Sequence, residues 1–366
     1  MIVLNLKLDK IYGFNNFEIN FTYPKKVVNS ILEDEHLEGR ERFRYKKAVV
    51  LMGANATGKT SLGRTLRNIF TFINTGNSAP LFEMTSEDGA SFTIDFVNQG
   101  YTLHRLSLML FKSMLGYTIR YQSSEIDKLD SYEKCVQKLT YQTDALTNTQ
   151  AAMKKLFGQI EYRFAYPEIE SSLKLAGTNK KALLKTLRAV VGTLDPTLQD
   201  VSLSNDLKDT FIIKRNGSEI IIQDGKLLNR ELLSSGTTEG IDVAVFLASM
   251  QSGAPTFYYC DEHFSYIQSD IERRIFGLML DRVAANGQLI FTTHNTDMLD
   301  LNLPKHAFMF LRKKLEDNEY RVSVISASDL LKRNTDSVRS AYENDMFASL
   351  PDDSLLDELE MEQSNG

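Results

Sequence analysis

The chain has 366 residues, 42% of them hydrophobic and 25% charged, with a formal net charge of −6. This is the composition of a globular protein with a sizeable core, and the length suits two domains or one large α/β domain with an insertion. It excludes a disulfide-stapled scaffold, because only Cys135 and Cys260 are present, and it gives nucleic-acid binding no help beyond a local basic strip. No apolar run approaches the roughly 18 residues that cross a bilayer. The alternating start, Met1 to Asp9, reads as a strand and not a signal peptide, so the expectation is a soluble, cytoplasmic protein with no membrane contact.

In chain order, Ile2 to Leu8 reads as a first strand, Tyr12 to Asn16 as a turn, and Phe17 to Phe21 as a second strand. Lys25 to Lys47 is polar. Its end, Arg40 to Lys47, interleaves basic residues with Phe43 and Tyr45 and reads as a solvated loop. An aromatic there, or Tyr12 or Phe14, is a candidate to stack on adenine, because every base offers a π-face.

The organising stretch is Gly53-Ala54-Asn55-Ala56-Thr57-Gly58-Lys59-Thr60, set between the apolar run Ala48 to Met52 and a helix-like stretch from Ser61 to Phe70. Strand, loop and helix in that order make G-x-x-x-x-G-K-[ST] a phosphate-binding loop. The glycines let backbone N–H groups converge on phosphate, and the helix start adds its positive end. Lys59 supplies a charge for the β- and γ-phosphates, and the Thr60 hydroxyl a ligand for Mg²⁺.

Beyond it, Ser91 to Val97 and Tyr101 to Leu106 bracket Asn98-Gln99-Gly100 as a hairpin, and Gly116 to Tyr121 adds a strand. From Ser123 to about Ala189 the three- and four-residue recurrence of apolar residues predicts a mostly helical insertion. Phe211 to Lys214 and Glu219 to Ile222, joined through Asn216-Gly217, predict a second hairpin.

Four later pieces complete the set. Leu233-Ser234-Ser235-Gly236-Thr237 opens an apolar helix; the turn either caps that helix or meets the nucleotide of a second subunit. Thr256 to Cys260 is an aromatic strand ending in Asp261-Glu262. Asp261 suits Mg²⁺, and Glu262, one residue on and pointing to the opposite side, suits a base for water. Gln288 to Thr293 ends in His294, an imidazole placed to bond a γ-phosphate. Phe264 to Gln268, just after the acids, would face a partner subunit. Closing strands are expected at His306 to Leu311 and Arg321 to Ile325, a helix at Ser337 to Phe347, and an acidic tail from Asp352.

Phosphate loop, Leu-Ser-Ser-Gly-Thr, apolar strand with Asp-Glu, and Thr-Thr-His, in that order, resemble the ABC-type ATPases. The loop form Gly-x-Asn-x-x-Gly-Lys-Thr behind Tyr12-Gly13-Phe14-Asn15-Asn16 is most similar to the SMC and RecF-like branch, and in particular to the AAA-family, ABC-like ATPases of bacterial anti-phage systems. The resemblance implies a P-loop NTPase fold: α/β, with a mixed central sheet, an N-terminal antiparallel β subdomain and a helical insertion. Its division would be 1–112 and 190–345 as the two halves of the core, 113–189 as the insertion and 346–366 as the acidic tail. It implies ATP and Mg²⁺ as ligands, with Gly53, Asn55, Ala56, Thr57, Gly58, Lys59, Thr60 and Ser61 as the Walker A loop. Ser234, Ser235 and Gly236 would be a signature touching ATP on the other protomer. Thr60 and Asp261 would hold the metal, Glu262 would be the catalytic acid and His294 the switch histidine. The chain departs from the family in lacking a second glycine before Gly236; Gln99 and Gln122 are the candidates for a Q-loop. The partners implied are a second copy, through an ATP sandwich, and a separate effector such as a nuclease or toxin. The alternative is a DNA-repair ATPase of RecF or SMC type, with DNA as partner.

Overall fold

The computed structural model describes residues 1–27, 30–142, 149–166, 179–204, 206–207, 210–215, 217–223, 226–250, 253–316, 319–333 and 335–351. The acidic tail from Asp352 and Asn216 of the second hairpin turn lie outside them. A central sheet runs in the order β10 (Tyr162–Ala165), β15 (Phe257–Asp261), β16 (Gln288–Thr292), β5 (Ala48–Met52), β17 (Phe308–Glu316) and β18 (Glu319–Ser326). Its first five strands are parallel and β18 is antiparallel. A second sheet is antiparallel throughout: β2 (Phe17–Asn20), β1 (Ile2–Asp9), β6 (Ala90–Val97), β7 (Thr102–Phe111), β8 (Gly116–Glu125) and β9 (Thr140–Tyr141). Two smaller sheets hold β3 (His36–Leu37) with β4 (Arg40–Arg44), and β11 (Leu198–Leu203), β12 (Thr210–Arg215), β13 (Ser218–Gln223) and β14 (Lys226–Leu228).

The helices are α1 (Lys59–Thr75), α2 (Ala79–Phe82), α3 (Tyr132–Gln137), α4 (Thr149–Phe157), α5 (Lys180–Leu194), α6 (Ser235–Ser249), α7 (Ser269–Leu280), α8 (Ala327–Leu330) and α9 (Val338–Glu343). The expected mixed sheet is therefore present, beside an antiparallel sheet built from β1, β2 and β6 to β9. Within 113–189, α3, α4 and most of α5 accompany three strands, and these join the two large sheets.

The central strands are apolar on both faces, as strands covered on both sides must be. Alternation divides each between two cores. Val49, Leu51, Phe257, Tyr259, Ile290, Met309 and Leu311 pack with α1 and the antiparallel sheet. Val50, Met52, Tyr258, Cys260, Leu289, Phe291, Phe308 and Phe310 pack with α5, α6 and α7. In α1 the buried Leu62, Leu66, Ile69, Phe70 and Ile73 recur at helical spacing, which fixes the face it lays on the sheet. It ends at Gly76, whose left-handed φ of 71° lets its N–H reach the Phe72 carbonyl.

Two expectations are corrected here. The Arg40 to Lys47 run is not a solvated loop: it contains β4, and Phe43 and Tyr45 are fully buried, with the Tyr45 hydroxyl donating to the Gly287 carbonyl at 3.2 Å. Phe14 is buried too, 4.5 Å from the Phe17 ring. None of these three faces can stack on adenine; of the four candidates, Tyr12 keeps an exposed side chain.

Candidate functional site

The order β15–β16–β5 brings three loops together at one end of the sheet, although β5 lies about two hundred residues before the others in sequence. In open α/β sheets this carboxyl end is where ligands bind. The loop after β5 carries Gly53 to Gly58, the turn after β15 carries Glu262, and the turn after β16 carries Thr293, His294 and Asn295.

The loop enters α1 through Gly58, which has a left-handed φ of 100°. A Cβ there would lie 2.8 Å from Phe14 Cζ, so both backbone and packing demand glycine. No side chain caps the helix, and its first amide with a backbone partner is that of Leu62, to the Gly58 carbonyl at 2.8 Å. The N–H groups of Lys59, Thr60 and Ser61 therefore have no acceptor among the described residues, the ordinary condition of a helix start that can receive an anion. Asn55 and Ala56 are exposed, and the Thr57 hydroxyl donates to the Ala54 carbonyl at 2.8 Å.

Lys59 is buried, yet its ammonium is surrounded by acceptors: the Gly53 carbonyl at 2.6 Å, the Ala54 carbonyl at 3.1 Å and Glu262 Oε1 at 3.2 Å. Burial lowers its pKa, and Glu262 and Asp261 oppose that fall. The next residue, Thr60, donates its hydroxyl to Asp261 Oδ2 at 2.6 Å. Asp261 Oδ1 accepts from the Thr292 hydroxyl at 2.7 Å. Burial pushes the Asp261 carboxyl up, and these two hydrogen bonds resist it. Glu262 pairs through Oε1 with His294 Nε2 at 2.9 Å. The His294 bond and the Lys59 charge hold Glu262 down at about 2 despite its partial burial.

The two acids were expected on opposite sides of their strand. The observed geometry differs: Glu262 lies past the end of β15 with a left-handed φ of 47°, and its N–H is held by the Thr292 carbonyl and hydroxyl at 3.3 and 3.0 Å. This sparsely populated conformation turns Glu262 onto Lys59, next to the Thr60–Asp261 pair. Lys59, Thr60, Asp261, Glu262 and His294 are thus joined by one chain of contacts.

Ser234, Ser235 and Gly236 are elsewhere. Ser234 caps α6, accepting from the Thr237 N–H at 3.1 Å; it and Ser235 are exposed. Among the described residues none of the three bonds to the Lys59 cluster in the same chain. Their link runs to the loop after Glu262. A Cβ on Gly236 would sit 2.7 Å from the Tyr266 carbonyl oxygen, and Glu239 Oε2 accepts from the Tyr266 N–H at 2.9 Å. Tyr266 itself is 69% exposed. Gln99 packs against Gly158 and Gln122 lies in β8; neither bonds to the cluster among the described residues.

Four supporting residues escaped the sequence reading. Thr292 fixes both Asp261 and the Glu262 backbone. Tyr259 donates its hydroxyl to the Lys59 carbonyl at 2.6 Å, under the helix start. Glu272 of α7 holds the residues on either side of His294, and Glu239 anchors the Tyr266 loop. A hydroxyl at a strand tip was a readable signal for Thr292. Nothing local marks Glu272 or Glu239, which look like ordinary helix-surface acids.

The pair Thr60 and Asp261 offers hard oxygen donors only, converging within 2.6 Å, and that suits Mg²⁺, which keeps several waters and shares phosphate oxygens. Among the described residues no group of three His, Cys, Asp or Glu side chains forms a self-sufficient metal cage. No described helix is long and apolar enough to cross a membrane.

No protein-family model matches the chain, and no curated protein does. Solved structures do. One is the crystal structure of an SMC head bound to the C-winged helix domain of ScpA, with a TM-score of 0.51 and 14% identity, covering 90% of this chain and 100% of that one. The chain has the fold of an SMC head domain. At such low identity the likeness extends to the fold alone. The SMC head domain from Thermotoga maritima is also similar (TM-score 0.43, 14% identity, 89% and 99% covered). So is the Pyrococcus furiosus Smc head with an extended coiled coil, bound to the C-terminal domain of ScpA (TM-score 0.49, 12% identity, 90% and 97% covered).

Proposed function

We propose that the chain is an ATP-binding and ATP-hydrolysing ABC-type ATPase that works as a dimeric switch on a partner protein. The observation that carries this reading is the contact chain Thr60–Asp261, Lys59–Glu262 and Glu262–His294 at three neighbouring strand ends of an SMC-head fold. The free amides at the start of α1 and the Lys59 ammonium bind the triphosphate. Thr60 and Asp261 hold Mg²⁺, which when bound neutralises phosphate charge. Glu262 orients the attacking water, and His294 bonds the γ-phosphate. The exposed Ser234 turn reaches the nucleotide of a second copy, which makes the interface two-fold and self-complementary.

The partner is the less specific part of the reading. It rests on the order of the motifs, phosphate loop, Ser234 turn, Asp261-Glu262 and His294, and on the neighbouring SMC head that is bound to the C-winged helix domain of ScpA. A separate effector in bacterial anti-phage defence is the role the motif form favours. The SMC-head fold supports a DNA-repair ATPase of RecF or SMC type equally well. DNA that stimulates turnover selects the second role; an effector that co-purifies and is released on hydrolysis selects the first.

Glu262→Gln tests the core of the proposal. The variant should keep ATP affinity and lose turnover by about 10²–10⁴-fold, the usual worth of a general base. With ATP and Mg²⁺ it should elute as a dimer from a sizing column. Turnover at the wild-type rate removes Glu262 from the reaction, and a monomer under saturating ATP removes the sandwich.

A further inference from the structure

We propose that Glu272 is a positioning residue for this ATPase: its carboxylate fixes the turn that carries His294, and through it the imidazole's contact with Glu262. The inference rests on the ATPase reading of the site. Glu272 is 2% exposed, on α7 and outside the contact chain around Lys59. Its Oε1 accepts from the Thr293 hydroxyl at 2.7 Å, and its Oε2 from the Asn295 side-chain amide at 2.6 Å. Those two residues flank His294. One carboxylate therefore grips the chain on both sides of the imidazole, and the ring alone projects, 43% exposed, to Glu262 Oε1 at 2.9 Å.

The turn already has the local bonds that close such a loop. The Thr293 hydroxyl accepts from the Asn295 N–H at 3.0 Å, and Asn295 Oδ1 accepts from the Asp297 N–H at 2.9 Å. Glu272 adds a tertiary anchor that loop closure does not require. Burying a carboxylate is unfavourable unless its oxygens are bonded, and here both are taken by donors from this turn. Other contacts extend the anchor. The Ser269 hydroxyl, at the start of α7, donates to Asn295 Oδ1 at 2.9 Å and to Asp297 Oδ2 at 2.5 Å. Arg339 of α9 donates to Asp297 Oδ1 at 3.0 Å. The turn is thus clamped between two helices, and Glu272 is the part of the clamp beside the histidine. Precision there matters, because displacing a reacting group by about 1 Å is enough to cost roughly 10²-fold in rate.

The test reverses one hydrogen bond. Glu272→Gln conserves volume but leaves one acceptor oxygen for two donors, so that its amide faces either the Asn295 amide or the Thr293 hydroxyl and one of the two bonds is lost. Adding Asn295→Asp turns the pair round, so that the new amide donates to the new carboxylate, which still accepts from Ser269 and the Asp297 N–H. Glu272→Gln should lower kcat by about 10- to 100-fold, with KM and ATP affinity within about two-fold, the pattern of a group felt mainly in the transition state. The paired variant should restore most of the rate. In the nucleotide-free protein, the His294 ring NMR signals should move in the single variant and return in the pair. Thr293→Val, which removes the other bond, should reproduce the kcat loss, and it carries the test if Glu272→Gln does not fold. Unchanged kcat in the folded variants, or a loss that the pair does not recover, overturns the proposal. A chain whose His294 signals respond but which hydrolyses no ATP keeps the positioning and loses the ATPase reading. One that hydrolyses ATP with ring signals indifferent to residue 272 does the reverse.

Discussion

Lys46 and Lys59 stand before and after β5, the central strand of the site, and both are 4% exposed. At the amino end, the Lys46 ammonium has the Met309 sulfur, at 3.3 Å, as its hydrogen-bond acceptor among the described residues. Burial pulls its pKa down to about 8, against the more distant pull of Asp329 and Glu35. At the carboxyl end, Lys59 has two carbonyls and a carboxylate within 3.2 Å. The same residue, buried to the same degree, is a weakly compensated charge at one end and a ring-held charge at the other. Burial alone does not mark a functional lysine. What separates Lys59 from Lys46 is the convergent acceptors, the free helix amides beside them and the left-handed Glu262 among those acceptors, surroundings that make it the candidate for function.

Each lysine offers a way to break that contrast. Lys59→Ala should weaken ATP binding by about 10²-fold or more, the scale for deleting one partner of a desolvated charge contact, while leaving the melting temperature nearly unchanged. Retained affinity by calorimetry would mean that the carboxyl-end lysine is as structural as the other. Lys46→Met should act the opposite way, leaving ATP affinity alone and raising stability by about 2 kcal/mol at pH 7. The sign follows from linkage. A lysine that falls from 10.5 to about 8 on folding binds fewer protons in the folded state than in the unfolded one. Below pH 8 the wild type therefore bears the whole penalty, at most about 3 kcal/mol, some of it offset by the sulfur contact. Between pH 8 and 10.5 the penalty disappears, so the advantage of the methionine variant should shrink over that window in denaturant melts. A constant advantage would place its origin in packing and not in charge.

The contrast also separates what the sequence could convey from what it could not. The Lys59 loop was legible because its signals are local: an apolar strand before it, glycines within it, a helical stripe after it. The antiparallel hairpin of β6 and β7 was legible for the same reason. Phe43 and Tyr45 were misread although they stand two apart, the spacing of one strand face, because the charged residues around them, Arg40, Arg42, Arg44, Lys46 and Lys47, suggested solvent. β10 was not anticipated, because an edge strand of four half-buried residues carries little pattern. Glu272 and Thr292 act across 23 and 31 residues of separation, through tertiary contacts that no local spacing encodes. Lys46 looked like one more member of a charged run, and its burial follows from the strand pairing around it.

The Ser234 turn poses the same question, structural or functional, at a smaller energy. As a cap, its hydroxyl accepts from the Thr237 N–H, and Ser234→Ala should lower stability by about 1 kcal/mol. That loss says nothing of nucleotide. Ser234→Asp says more, because aspartate caps a helix start as well as serine does and its charge suits the helix dipole. Stability should therefore be kept. If the turn meets the triphosphate of a second copy, however, the new carboxylate faces like charge, so ATP-driven dimerisation and turnover should fall while binding to the monomer persists. A Ser234→Asp chain that dimerises and hydrolyses ATP like the wild type would leave the turn with its cap alone. The sandwich would then have to be closed by some other exposed group, with Tyr266, packed against the same helix start, the first to be changed.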